Sequence, residues 1–422
     1  MDAYLRVLRI PDFRRLWLGL VLNLLGDGAT FTAMAWLTVE RAGAGGLGVL
    51  GVCYTLPVLL GGAVVGPLLD RFSRRALLVN DSLFRAVVVA SIPLLDLLGV
   101  FAVWQLYVVA AVYGLLKIIP LAGTPAVLPE LVPADRLQAA SGLEATAMSA
   151  ANIAGPAIGA VLIAVAGATN VLLLDALTYV AFAVLIMRIS APLGRPEQVG
   201  ETSGGASAER HGWGPVLNLL LHDRFLLFLT LSFAAFNISS GALLVALPWL
   251  SKYVFTGGAG TLGLLLATAA AAELIGSLVA GAAKTSDRQM VRIGFLQFLA
   301  GATLLLMVPR HLPTVIAGLV LSSILTSPMT VLGGVVRLTR TPNALRGRAM
   351  TLMRTTMSGA LPLGSALGGL FLVGGHYTAL IVCVALLAAS PGLLTALSFR
   401  HASFRLGVEP EPLAVPAPTP AS

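Results

Sequence analysis

The chain has 422 residues, of which 57% are hydrophobic and only 11% charged, with a mean hydropathy of +0.91. Soluble domains carry about 25% charged residues, so one water-soluble core is excluded and a polytopic membrane protein is expected. A net charge of +8 would suggest nucleic acid for a soluble protein, but here the basic residues sit in short loops and serve topology.

Taken in chain order, the apolar runs long enough to cross a bilayer fall at 14–38, 46–69, 76–100, 103–124, 138–165, 168–189, 225–251, 259–283, 290–309, 313–337, 347–372 and 376–399. The first is too long for a signal-peptide core and has no cleavage site, so it is expected to remain as a span. The connecting loops alternate in charge. One side holds Arg14 and Arg15, then Arg71, Arg74 and Arg75, then Arg136, Arg188, Arg224, Arg288, Arg340 and Arg346; the other holds little beyond Arg41, Lys252 and Arg310. This bias places both termini in the cytoplasm and requires an even number of spans. Residues 190–222 are rich in Gly, Pro, Ser and charge and read as a flexible cytoplasmic linker between six-span halves at 1–189 and 223–400. Residues 401–422 read as a disordered Pro/Ala-rich tail. The expected fold class is therefore an all-α polytopic membrane protein with twelve transmembrane helices in two six-helix halves.

The loop after the second run reads Gly66-Pro-Leu-Leu-Asp70-Arg71-Phe-Ser-Arg74-Arg75. Gly66 permits close helix contact at the membrane face. Asp70 can accept hydrogen bonds from the free amides of a helix N-terminus, and the arginines can pair with Asp70, Glu130 or lipid phosphates. A weaker echo in the second half runs from Gly276 to Asp287 and Arg288, with Thr285 in the register of Asp70. In the fifth run, Gly155, Pro156 and Gly159 form a seam. Proline removes a helix hydrogen bond and the small residues admit a neighbouring helix closely; ordinary packing explains this as well as sliding does.

Each ionisable residue within an apolar run must face protein or water. Asp81 and Arg85 stand one helical turn apart and read as a structural pair; Asp175 is also read as structural. Asp27 and Glu273 have no cation nearby in sequence and are candidates for proton coupling, with Lys117 as a possible partner. The alternative for both is a water-exposed or salt-bridged carboxylate. Neither a Gly-rich phosphate loop nor a cysteine or histidine cluster stands out. No cofactor, no metal and no enzymatic activity are expected.

The spacing of the Gly66–Arg75 loop resembles the loop signature of the major facilitator superfamily, and the Gly155–Gly159 seam resembles the Gly-Pro signature of its exporters, with Ala151 and Ala160 where glycines stand. Pro11-Asp12-Phe13-Arg14-Arg15-Leu16-Trp17, Leu128-Pro-Glu130-Leu-Val-Pro133 and Leu345-Arg346-Gly347-Arg348 resemble the branch of macrolide efflux and enterobactin-type siderophore exporters. The resemblance implies a cytoplasmic gate in which Asp70, with Arg71, Arg74 and Arg75, docks at the start of the eleventh helix near Arg346. It implies a monomeric bacterial inner-membrane protein that exports a hydrophobic or amphipathic small molecule by proton antiport and alternating access. The cavity would be lined from spans 1, 4, 7 and 10, with Asp27, Thr30, Met34, Lys117, Asn237 and Met329 as candidates. The fourth-span arginine usual in proton-coupled drug exporters is missing, and Lys117 stands nearest to its place. Alternatives are a lipid or lysophospholipid transporter, a metal-ion exporter and a non-transporting membrane receptor.

Overall fold

The computed structural model describes residues 2–191, 193, 214–282, 288–342 and 345–400; side chains are described at all of these except 2–3, 60–71, 118, 121–122, 126 and 280–282. Every regular element among the described residues is a helix. In the first part of the chain they are α1 (Asp2–Leu8), α2 (Pro11–Arg71), α3 (Arg74–Leu97), α4 (Val103–Leu116), α5 (Ile118–Leu131), α6 (Leu137–Ala166) and α7 (Ala168–Met187). In the second they are α8 (Gly214–His222), α9 (Arg224–Tyr253), α10 (Gly258–Ala282), α11 (Gln289–Thr303), α12 (Leu312–Arg340), α13 (Arg346–Ser358), α14 (Leu361–Val373) and α15 (Tyr377–Ser398).

Two helices show how local chemistry shapes the spans. A straight α2 of 61 residues would be about 90 Å long, three times the hydrocarbon core of a bilayer. It is instead two arms that meet at Gly43, where φ 64° and ψ −157° break the helix in a region glycine enters without a Cβ penalty. The fourth apolar run is likewise broken. Pro120 has no N–H for the carbonyl of Leu116, and its ring crowds that carbonyl, so α4 ends at Leu116 and α5 begins beyond Lys117. Pro362 acts in the same way on Ser358 and divides α13 from α14.

Among the described residues, ten helices are long and apolar enough to cross a membrane. Their outward faces carry bare aliphatic side chains such as Leu97 at 84% exposure and Val165 at 83%. Such a surface is stable only where lipid is the solvent. Inside, α2 packs on α4, α6 and α7, and α3 on α7; α9 packs on α14 and α15, α10 on α12, and α11 on α15. The two groups meet along α2 with α14 and α6 with α10. Small residues make these approaches possible: a Cβ on Gly48 would lie 3.0 Å from the Gly369 Cα.

The two ends of the bundle differ. At the Gly43 end, contacts cross between the groups. Lys252 Nζ lies 3.1 Å from Glu40 Oε1 and over the Trp36 ring, and the Tyr253 hydroxyl donates to the Val39 carbonyl at 2.9 Å. At the arginine-rich end, each group is tied within itself. Asp12 accepts from Arg15 at 2.6 Å and from the Ser190 and Ala191 amides at 3.1 and 3.0 Å. Arg75 donates to the Ile189 and Ala191 carbonyls at 2.7 and 2.6 Å, and Arg74 pairs with Glu130. Asp223 caps α9 and pairs with Arg340 at 2.8 Å.

The last nine residues of the stretch expected as a flexible linker form α8. Val216, Leu219 and Leu220 fall on one helical face and pack against Ala349 and Met353. Glycine and proline content obscured this short amphipathic stripe. The side chains of Asp70 and Arg71, the Gly66 close-contact site, Lys284 to Asp287, most of the linker and the tail from residue 401 lie outside what is described.

Candidate functional site: a buried polar cluster

Five helical segments bring ionisable and hydroxyl groups together inside the N-terminal group of helices. The first arm of α2 supplies Asp27 and Thr30, and the second arm supplies Tyr54. α3 supplies Asp81 and Arg85, α4 supplies Tyr113 and leads into Lys117, and α7 supplies Asp175 and Tyr179. Asp27 is 6% exposed. Its Oδ1 accepts the hydroxyls of both Tyr113 and Tyr179, each at 2.5 Å. Its Oδ2 makes no hydrogen bond among the described residues.

Arg85 is the buried cation of this cluster. Its Nε donates to Asp81 Oδ1 at 3.2 Å, and the two side chains are 1% and 3% exposed. Its Nη1 reaches the Tyr179 hydroxyl at 3.5 Å, so Arg85 touches Asp27 only through a phenol. The guanidinium lies over the Tyr113 and Tyr179 rings at 5.3 and 5.7 Å, a favourable placement for a desolvated cation. Its Nη2 is buried without a hydrogen-bond acceptor among the described residues.

Two further contacts extend the network. Asp175 accepts from Thr30 at 2.5 Å and from Thr178 at 2.9 Å. Lys117, half-buried at the α4–α5 break, donates to the Tyr54 hydroxyl at 3.3 Å, and Tyr54 stacks on Tyr113 with centroids 5.7 Å apart. The packing leaves no slack: a Cβ on Gly26 would fall 1.9 Å from Asp175 Oδ1.

The sequence singled out the charged members of this cluster but not its tyrosines. The available signal was the phenol itself, since a buried tyrosine hydroxyl in an apolar helix needs a partner. The pairing of Asp81 with Arg85 is present as expected from their spacing. Other candidates fall elsewhere. Glu273 stands apart on an exposed face of α10. Met34 and Met329 lie at 0% and 1% exposure in packed apolar clusters, whereas Asn237 keeps partial exposure. Gly155, Pro156 and Gly159 form the contact between α6 and the first arm of α2, where a Cβ on Gly159 would lie 2.5 Å from the Ala29 Cα. Arg346 starts α13, and its Nε is buried without an acceptor among the described residues.

A buried, hydrogen-bonded charge cluster inside paired groups of membrane helices is the arrangement expected where a membrane protein handles protons or a polar solute. Comparison with known proteins makes the class definite. Residues 3–410 match the family described as transmembrane secretion effector. The multidrug efflux pump Tap of Mycobacterium tuberculosis is 29% identical over 390 residues, covering 86% of this chain and 89% of the pump. Macrolide efflux protein A of Streptococcus pyogenes is 22% identical over 392 residues, covering 89% and 94% of the two chains. Among solved structures, a bacterial homolog of the human lysosomal transporter Spinster, inward-facing and unoccupied, superimposes with a TM-score of 0.65 at 13% identity, covering 94% of this chain and 99% of that one. The nucleoside transporter NupG gives 0.64 at 13% identity, covering 92% and 98%. The chain belongs to the transmembrane secretion effector family of major facilitator transporters; it is a multi-pass bacterial membrane transporter and not an enzyme.

Proposed function

We propose that this protein is a secondary exporter of hydrophobic or amphipathic small molecules, driven by proton antiport through the Asp27 cluster. Dividing α2 at Gly43 and counting α4 with α5 and α13 with α14 as single bent spans gives twelve crossings in two six-helix halves. The arginine-rich end then faces the cytoplasm, with both termini there. In this arrangement the halves are joined at the outer end and separately tied at the inner end, which supports an inward-open state of an alternating-access cycle. At the inner end, the gate motif of Gly66, Asp70, Arg71, Arg74 and Arg75 would close against α13. The unmet Nε of Arg346 gives a docking carboxylate a partner there.

The observation that carries the coupling is a charge imbalance. Asp27, Asp81 and Asp175 are three carboxylates beside two cations, Arg85 and Lys117. A net charge in this setting is costly, so one proton balances the cluster. Asp81 is held by direct contact with Arg85, and Asp175 by two threonine hydroxyls. Asp27 has a carboxylate oxygen free to carry the proton, and its link to Arg85 through Tyr179 weakens when it does so. The proton therefore changes how α2, α4 and α7 are held together, which is the kind of bistable contact that alternating access requires. The names of the efflux relatives support drug-like substrates.

The test is transport in proteoliposomes. Vesicles acid inside should accumulate a fluorescent macrolide or cationic dye, and a proton ionophore should abolish the accumulation. Accumulation that is the same with and without the gradient removes the antiport reading.

A further inference from the structure

The C-terminal group holds a second set of charges that the Asp27 cluster does not use. Arg337 lies three residues before Arg340 in the last turns of α12, yet the two side chains part company. Arg340 pairs with Asp223 at the start of α9. The guanidinium of Arg337 instead lies 4.9 Å from the Phe233 ring centre, with Nη1 3.6 Å from Met357 Sδ. Phe233 is nine residues into α9, and Met357 eleven residues into α13, placing them about 13 and 16 Å along their helices. Arg337 thus points into the membrane span rather than out to the headgroups, against the tendency of long cations to snorkel.

Arg354 shares this place. It lies three residues before Met357, on the same face of α13, and its side chain is exposed. Neither arginine makes a salt bridge with a carboxylate among the described residues. Two cations on two membrane helices, without a counter-ion among the described residues, mark a place where an anion is expected. Beside them lies an apolar cluster that includes Phe225, Phe228, Phe236 and Met329 with Phe233 and Met357. A positive pair next to aromatic and thioether surface is complementary to an amphiphile with an acidic head.

We propose that Arg337 and Arg354 form an anion subsite that takes the carboxylate or phosphate of an amphipathic substrate, with its apolar part on Phe233 and Met357. The proposal rests on the export reading and narrows the substrate class to molecules that bear an acidic group. The same chemistry is offered by a soluble amphiphile and by a phospholipid headgroup.

The test is equilibrium binding to the purified full-length protein, which needs no transport. The probes are 11-(dansylamino)undecanoic acid and its methyl ester. The wild type should bind the acid more tightly than the ester. Arg337→Gln and Arg354→Gln should each lower that acid-to-ester ratio about tenfold, the loss expected for one charge-assisted hydrogen bond, while Arg354→Lys keeps most of it. Arg354 is exposed, so its variants guard against misfolding. A wild-type ratio near one, a ratio unchanged in both glutamine variants, or an equal fall in Arg340→Gln overturns the proposal. In nanodiscs, phosphatidylglycerol should compete with the acid on the wild type if a lipid headgroup is the natural occupant, and phosphatidylcholine should not; no competition points to the soluble amphiphile. Loss of proton coupling with the binding ratio intact would sink the antiport reading and leave this subsite standing.

Discussion

Arg85 is the residue on which the cluster turns. It meets Asp81 directly and Asp27 through the Tyr179 hydroxyl, at 1% exposure. Removing a buried ion-pair partner costs about 3–5 kcal/mol, because the remaining charge is left unpaired. Arg85→Met should therefore sharply lower the thermal unfolding temperature in detergent. The double variant Arg85→Met with Asp81→Leu should recover much of that loss, since paired removal leaves one fewer uncompensated charge. A double variant that is less stable than Arg85→Met alone would contradict this description. Tyr179→Phe keeps the ring under the Arg85 guanidinium but removes the hydroxyl between Arg85 and Asp27. It should fold and insert normally while losing about tenfold in gradient-driven flux, the scale of one charge-assisted hydrogen bond; wild-type flux would show that the hydroxyl carries no coupling.

At the scale of elements, the Gly43 end of the bundle is where an ion pair and a tyrosine hydrogen bond fasten the two groups of helices. The Lys252–Glu40 pair is about one-third exposed, so its own contribution is small, about 0–1 kcal/mol. Its position matters more, since α9 meets the first arm of α2 beside the Gly43 turn. A Glu40→Cys and Lys252→Cys protein, with Cys53 and Cys383 replaced by serine, should be cross-linked by a short bis-methanethiosulfonate reagent, and the cross-link should block transport. Reductant should restore it; transport by the cross-linked protein would show that this end does not open. The seam between α6 and α2 tests packing instead. Gly159→Leu must displace Ala29, and overpacking of this kind costs about 1–3 kcal/mol, so its unfolding temperature should fall while Gly334→Ala, which meets open space on α12, should cost little.

The same scale shows what could be read from the chain. Apolar runs and alternating arginines made the membrane spans legible, because hydropathy over about 20 residues is a strong signal. The prolines at 120 and 362 were also visible, but their breaks were not placed, since membrane helices often absorb a proline. α8 was hidden because its stripe is short and lies next to a Gly/Ser-rich stretch. Asp27, Asp81, Arg85, Lys117 and Asp175 stood out as charges in hydrocarbon. Their assembly into one cluster did not, because it depends on the fold of two arms of α2 against α4 and α7 over separations such as Asp27 to Tyr179. The surroundings of Arg337 were not legible either, because they depend on Phe233 of α9 and Met357 of α13.

For the whole molecule, Asp27, Asp81 and Asp175 gather in the N-terminal group, while Arg337 and Arg354 in the C-terminal group make no salt bridge among the described residues. One side would then carry the proton while the other receives an acidic substrate head, with the two joined by the movement of α2 and α6 against α14 and α10. The central claim is that Asp27 carries the transported proton. It is tested most directly by Asp27→Asn in proteoliposomes, with gradient-driven accumulation and gradient-free counterflow of the same labelled substrate measured side by side. Asparagine still accepts from Tyr113 and Tyr179 but cannot exchange a proton. The predicted result is loss of accumulation with counterflow retained; accumulation that still follows the pH gradient would contradict it.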